Sequence, residues 1–492
     1  MATLKPGFVR SVGTLACLAV VLACGGESTP SNSPTPASGG SLSQAGAANA
    51  GAAGASAGGG AAGQAGDNGA GGNAVSGMVT FWQDVAPIAQ EHCMKCHQAN
   101  GLGPDLFSTY MRASGAAFSI KDAVVTRTMP PWDALDDGSC GTFQDSESLS
   151  DQEIATIAAW VDGGKLEGTP VTITPPVQPS LEGGNEYRTP EFTPISEGTV
   201  IAPNDEYRCF VIDHGLTADK FITGYEVVPG IPAMIHHVLG FLVDPAADSG
   251  VAGMTNEQQM QALDAESPDR LGWPCFGMAG DGVEVKAVPV TWAPGQGVVS
   301  YPGESGVPFA PTDRFVVQVH YNLENANLVG SSETTLIRMR LVDTVQRIGV
   351  FVLRDPLLES LALGNPDTLA PGQASVPYTW QADITQVGLS GGLGDLQLAG
   401  VMPHMHKLGH TYNLTLDDTV TPQPQCAVQV DDWDISWQRM YFYQTGIPMT
   451  HTSSFQVTCD YDTTEATLPV TPGWGTSNEM CLAVLYFTGT AP

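Results

Sequence analysis

At 492 residues, 42% of them hydrophobic and 14% charged, the chain has a globular composition and is too long for a single ordinary core. Asp and Glu outnumber Lys and Arg by 51 to 19, a formal net charge of -32. That balance argues against nucleic acid as a partner and gives no reason to expect adhesion to an anionic membrane surface.

In chain order, residues 1–24 read as an export signal. Lys5 and Arg10 supply a basic start, and the apolar run from Val12 to Ala23 is too short to span a bilayer. It ends in Val21-Leu22-Ala23-Cys24, which resembles a bacterial lipobox with Cys24 as the lipidated first residue of the mature chain. An ordinary cleavable signal, or lipidation at the weaker Ala16-Cys17 site, are the alternatives. A lipid anchor implies an exported protein at the periplasmic face or cell surface of a bacterial membrane, held by its lipid only. Residues 25–77 are almost entirely Gly, Ala, Ser, Asn, Pro and Gln, the composition of a disordered tether.

Residues 78–168 carry a helical pattern. Phe81, Val85, Ile88 and Ala89 share one face. Further on, Ser150 and Glu153 form a capping-box pattern before an Ile154, Ile157, Ala158 and Val161 stripe that Gly163-Gly164 stops. Residues 169–200 are rich in Pro, Thr and Glu and read as a linker. Beyond residue 200, alternation in Arg314–Leu323, Thr335–Leu341 and Phe455–Tyr461 predicts short strands between Gly and Pro turns. That much strand exceeds one sandwich, so two antiparallel β-sandwiches are expected, over 201–345 and 346–492.

Cys93-Met94-Lys95-Cys96-His97 is the C-x-x-C-H pattern of covalent heme c attachment. Two thiols at that spacing can each add to a heme vinyl group, leaving His97 to bind the iron. A zinc site would need a second C-x-x-C, which the sequence lacks. Met129, in Thr-Met-Pro-Pro-Trp, is the expected second axial ligand, by resemblance to the Met-Pro loop of small cytochromes c; Met111 and His92 compete with it. Met/His ligation suits an electron relay.

Histidines recur in three other settings: His236-His237, the lone His320 on a strand, and His404-Met405-His406. A late Glu479-Met480-Cys481 follows. Singly, each is more often a core or surface feature than a metal ligand. In this order, from about Asp205 to Tyr486, they resemble the copper type II, ascorbate-dependent monooxygenases, which include peptidylglycine α-hydroxylating monooxygenase and dopamine β-monooxygenase. The resemblance implies two jelly-roll-like sandwiches, each holding one copper ion across a solvent-filled cleft. His236, His237 and His320 would hold the electron-storing ion, with Gln318 nearby, while His404, His406 and Met480 would hold the one where oxygen is activated. Three imidazoles tolerate both copper oxidation states, whereas a thioether favours Cu(I). Because adjacent residues of a regular strand point to opposite faces, His236 and His237 require irregular backbone.

An even remainder of cysteines in an exported chain predicts disulfides. The family resemblance implies Cys459 with Cys481 and Cys209 with Cys275, which leaves Cys140 and Cys426 as a pair by elimination. The chain departs from the peptide hydroxylase where that enzyme holds its substrate's carboxylate with Arg, Asn and Tyr. Met402, Leu482 and Val484 stand there, so a neutral, more apolar substrate is expected. The function implied is hydroxylation of a small molecule's C–H bond with O2. Electrons would come from a periplasmic donor and pass through heme c to the copper of His236, His237 and His320. A non-catalytic electron-transfer or copper-binding lipoprotein is the alternative, and a sandwich with merely inherited histidines is a third reading.

Overall fold

The computed structural model describes residues 78–491 apart from 100–102, 133, 177–179, 197–203, 276–277, 294–295, 324, 326, 365, 390–391, 418–423 and 474–477. The export signal, Cys24 and the tether lie outside the described residues.

The helical region comes first. Contiguous turns over Phe81–Val85, Ala86–Ile88 and Ala89–Cys93 lead into the Cys pair, followed by helices Tyr110–Val125 and Asp151–Asp162. In Tyr110–Val125 the buried face is Ala113, Ala117, Ile120 and Val124, at helical spacing. Ser150 caps the last helix reciprocally: its hydroxyl accepts from the Glu153 N–H at 3.3 Å, and the Glu153 carboxylate accepts from the Ser150 N–H at 2.8 Å. Such a cap contributes about 1 kcal/mol. Phe81, Val85, Ala89, Ile157, Trp160 and Val161 meet in one small core.

The rest is mostly strand. A five-stranded sheet runs Trp273–Pro274, Asp205–Ile212, Arg314–Asn322, Ile235–Val243, Ala287–Trp292. A four-stranded sheet runs Val376–Asp383, Ser454–Tyr461, Gly409–Asp417, Gln425–Val430. The third sheet has nine strands. Its order is Asn185–Arg188, Leu336–Val342, Lys220–Val228, Ser305–Phe309, Arg347–Arg354, Leu482–Thr490, Gly394–His404, Tyr441–Pro448, with Val299–Ser300 against Lys220–Val228.

This large sheet runs through the boundary expected at residue 345. Arg347–Arg354 pairs in parallel with Ser305–Phe309, so the sheets are not purely antiparallel. Leu482–Thr490 is buried on both faces. Leu482, Val484 and Tyr486 point into the core shared with the five-stranded sheet, and Ala483, Leu485 and Phe487 into the core shared with the four-stranded sheet. A strand buried on both sides reads as an unbroken apolar run, and Leu482–Phe487 is one.

The helical region is also less separate than expected. Between its last two helices the chain leaves the small core, and Trp132, Ala134 and Phe143 join the core of the four-stranded sheet. Trp132 meets the Tyr441 ring edge-on at 5.1 Å, and Phe143 lies 5.2 Å from the Tyr443 ring. Backbone bonds from Leu135 N to Gln429 O (2.8 Å) and from Gln144 N to Phe442 O (2.7 Å) fix this arm, and Cys140 is disulfide-bonded to Cys426.

Candidate metal and heme sites

The first histidine cluster is built by a bulge. Along Ile235–Val243, Ile235 pairs with Tyr321 and His237 with His320, so His236 is the extra residue. An extra residue re-aims the side chains beside it, which lets neighbours share a face. His236 Nδ1 and His237 Nδ1 lie 3.3 Å apart, and His320 Nδ1 is 3.4 Å from His237 Nδ1.

A chain of bonds sets the ring of His237. The Gln318 amide nitrogen donates to the carbonyls of Cys275 and Met278, both at 2.7 Å. Its carbonyl oxygen is thereby left to accept from His237 Nε2 at 3.3 Å. The proton therefore sits on Nε2, and Nδ1 offers a lone pair to the cluster. Cys275 is itself tied to Cys209. Tyr207 stacks on His320 at 3.8 Å, and Asp205 Oδ1 stands 3.4 Å from His320 Nε2, which is buried with no hydrogen-bond partner. Burial first, then the neighbouring imidazoles, holds His237 and His320 well below the usual histidine range. Neutral ring nitrogens crowded together fit a cation between them, and those of His236, His237 and His320 all lie within 4.8 Å of one another.

The second cluster sits where Gly394–His404 ends. The rings of His404 and His406 are 5.1 Å apart and nearly perpendicular. His406 Nδ1 donates to the Asn478 carbonyl at 3.0 Å, and His404 Nδ1 donates to Gln438 Oε1. Each ring is thus held through Nδ1, the reverse of His237, which is held through Nε2. The Glu479 carboxylate accepts from the N–H groups of His406 (2.9 Å) and Leu408 (2.8 Å), clamping the turn to the segment that carries buried Met480. Tyr461 donates to the Met480 carbonyl at 2.7 Å, and Cys459–Cys481 closes the same corner. Burial, then His406, pushes His404 down to about 3, against the Gln438 bond. Two imidazoles and a thioether together make a donor set that favours Cu(I), and Glu479 ties the segment of Met480 to the His406 turn. His404 is also among the groups that depress His237, so the clusters lie within electrostatic reach of each other.

In the heme motif, Cys93 closes the first helical run, and His97 N–H donates to Cys93 O at 2.9 Å. Cys93 and Cys96 are free and half-buried. Burial pushes the Cys93 thiol up to about 12 and raises that of Cys96. A zinc ion would need thiolates that such surroundings disfavour, whereas thioether links to a heme carry no charge. His97 Nδ1 donates to Pro104 O at 3.0 Å, leaving Nε2 for iron. Gly103 lies flat on the ring: a Cβ there would stand 2.7 Å from His97 Cε1. Of the competing ligands, Met111 is 77% exposed and His92 pairs with Glu153 at 3.3 Å. Met129 is half-buried, three residues before Trp132.

Gln438, Asn478, Asp205, Tyr207 and Pro104 carry no motif, and sequence reasoning assigned them no role. Met402 stands opposite Val484 and His404 opposite Leu482, so the three departures from the peptide hydroxylase lie together beside His404.

Residues 364–491 match the family model of the copper type II ascorbate-dependent monooxygenase C-terminal domain. Residues 81–161 match that of cytochrome c oxidase, cbb3-type, subunit III. These matches support a copper monooxygenase with heme electron transfer, and the expected order of the two parts is observed. The comparison with curated proteins gives no match. Among solved structures, the major capsid protein P2 of bacteriophage PM2 aligns at 8% identity and TM-score 0.23, covering 63% of this chain and 98% of that one. The N-terminal CBM22 tandem domain of Paenibacillus barcinonensis Xyn10C aligns at 10% identity and TM-score 0.15, covering 64% and 97%. Likenesses this low carry no argument.

Proposed function

We propose that the chain hydroxylates a C–H bond of a neutral small molecule with O2, using two copper ions fed by one covalently attached heme c. The observation that carries the reading is the contrast between the histidine clusters. In one, His237 Nδ1 lies within 3.4 Å of the Nδ1 atoms of both His236 and His320; in the other, both rings are held through Nδ1 and Glu479 ties their turn to the segment of Met480. The first donor set suits an ion that changes valence without rearranging. The second leaves a position open, because two imidazoles and Met480 do not complete a coordination shell. When bound, the metals supply one-electron storage and oxygen activation. Hydroxylation takes up two electrons and two protons for each O2, and one oxygen atom leaves as water.

The residues of the chain do the rest. Gln438 and Asn478 fix the rings of His404 and His406, and Gln318 fixes that of His237. Met402, Leu482 and Val484 make the packing beside His404 apolar, so that a substrate carboxylate there would find no partner. Three disulfides indicate export to an oxidising compartment, and no described helix is long and apolar enough to cross a membrane. With a lipid on Cys24, the protein would work at a bacterial membrane and draw electrons from a periplasmic carrier.

Copper and iron analysis, with O2 uptake measured in the presence of an artificial reductant and neutral apolar substrates, tests the reading. Two coppers and one iron per chain with substrate-dependent O2 uptake are expected. Full copper loading without uptake would favour the alternative, an electron-transfer or copper-binding lipoprotein. The loss of the carboxylate-holding residues is the observation on that side.

A further inference from the structure

The arm at residues 130–145 joins the helical region to one particular place. Its backbone bonds and disulfide end on residues 426–444, the segment that carries Gln438. A polar chain runs alongside. Lys95, inside the C-x-x-C-H motif, places Nζ 3.5 Å from Glu147 Oε1, and the same oxygen is 4.0 Å from Arg439 Nη1. Arg439 lies 4.8 Å over the Trp132 ring, three residues after Met129. The next residue back from Arg439 is Gln438, whose carbonyl oxygen accepts from His404. The heme motif, through Lys95 and Glu147, and the arm, through Trp132, therefore meet at Arg439.

The cluster of His236, His237 and His320 is supported from a different part of the fold. Its hydrogen bonds run to Gln318 and on to the carbonyls of Cys275 and Met278, and its nearest carboxylate is that of Asp205. These partners belong to the five-stranded sheet and the segment beside it, not to residues 426–444.

We propose that electrons leave the heme through Lys95, Glu147, Trp132 and Arg439, pass Gln438, and arrive at the copper held by His404, His406 and Met480. The sequence alone had pointed to the other ion as the receiver. With heme and copper bound, the transfer would move one electron and no proton, from ferrous iron to cupric copper. A route of ion-pair and ring contacts at 3.5, 4.0 and 4.8 Å favours transfer over one that crosses open solvent, because electronic coupling decays more slowly through packed protein than through water. Arg439 acts as a positioning residue, holding Gln438 against His404 on one side and the aromatic arm on the other. The ion pairs are partly exposed and contribute little stability, so their effect lies in geometry.

This inference rests on the copper and heme reading above. Its test uses the full chain, loaded with heme and copper, fully oxidised and kept under argon. A light-driven one-electron reductant reduces the heme in a pulse. The heme absorption band is then followed, with the Cu(II) EPR signal read after rapid freezing. In His320→Ala, which removes the triad's copper, heme reoxidation should persist at nearly the parent rate. In His406→Ala it should be lost. Arg439→Met, checked for unchanged copper content and thermal midpoint, should slow it several-fold. Loss in His320→Ala with retention in His406→Ala would overturn the inference while leaving the enzyme reading intact. If the heme of the parent protein stays reduced with both coppers bound, the relay itself, and with it the heme's part in the proposed function, is overturned.

Discussion

The two histidine clusters solve the same problem by different means. The triad is held by a sheet: a bulge aims His236 and His237, the adjoining strand supplies His320 and Gln318, and a disulfide steadies the carbonyl that orients Gln318. The second cluster straddles the end of a strand: His404 is its last paired residue, His406 lies on the turn beyond, and a single carboxylate clamps that turn. A site made of sheet is rigid by default. A site on a turn needs a buried charge-bearing group to give it shape, and burial raises the Glu479 carboxyl to about 7.

The sharpest way to break that contrast is Glu479→Ala. It strands two buried N–H groups, each costing about 1–3 kcal/mol. We expect a large fall in the urea midpoint and loss of copper from the second cluster alone, seen as a halved copper-to-protein ratio. Loss of both ions together would show that the clusters are not independent.

Next in size is a pH effect on the same side of the molecule. Asp355 caps a short helix through the Leu358 N–H at 3.0 Å, and its other oxygen is buried without a partner. Burial raises its carboxyl from 3.8 to about 7. The folded state therefore binds this proton more tightly than the unfolded state does. The stabilisation is complete below roughly pH 4 and is lost as pH rises through about 7. Relative to Asp355→Asn, the parent protein should lose stability over that interval, as read from urea midpoints on both.

Gln318→Leu tests the rigid side. Without its carbonyl, His237 no longer has a fixed ring, and copper at the triad should bind about 10–100-fold more weakly by chelator competition. The second cluster should keep its affinity. The smallest expected change follows Tyr207→Leu, which removes the ring stacked on His320. A stability loss of about 0.5–1.5 kcal/mol and an altered triad Cu(II) EPR signal should follow.

Much of this was legible in residue patterns. The capping box at Ser150 and Glu153 and the strand carrying His320 rest on local spacing, which determines which face a side chain takes, whereas the irregularity at His236-His237 followed only from the ligand roles that the family resemblance implied. Partners distant in the chain leave no such trace. Trp132 and Phe143 have the look of cytochrome core residues, yet they pack against Tyr441 and Tyr443 some 300 positions later. Alternation in Arg347–Arg354 marks a strand but not that it lies beside Ser305–Phe309. Gln438 is one polar residue in a loop, with nothing around it to mark it as the support of His404. One local signal was present and passed over: Thr255 and Gln258 form a capping box for the helix Asn256–Ala265, inside a region read as strand.

The arm also decides how this protein can be taken apart. A fragment starting after residue 168 would lack Trp132 and Phe143, two rings that plug the hydrophobic interior beneath Tyr441 and Tyr443, and would leave Cys426 with a bare thiol. Truncating a buried aromatic ring to Ala costs about 3–5 kcal/mol. The copper-binding half cannot be excised at the apparent linker and remain whole. Any surgical separation has to cut on both sides of the arm and carry it along.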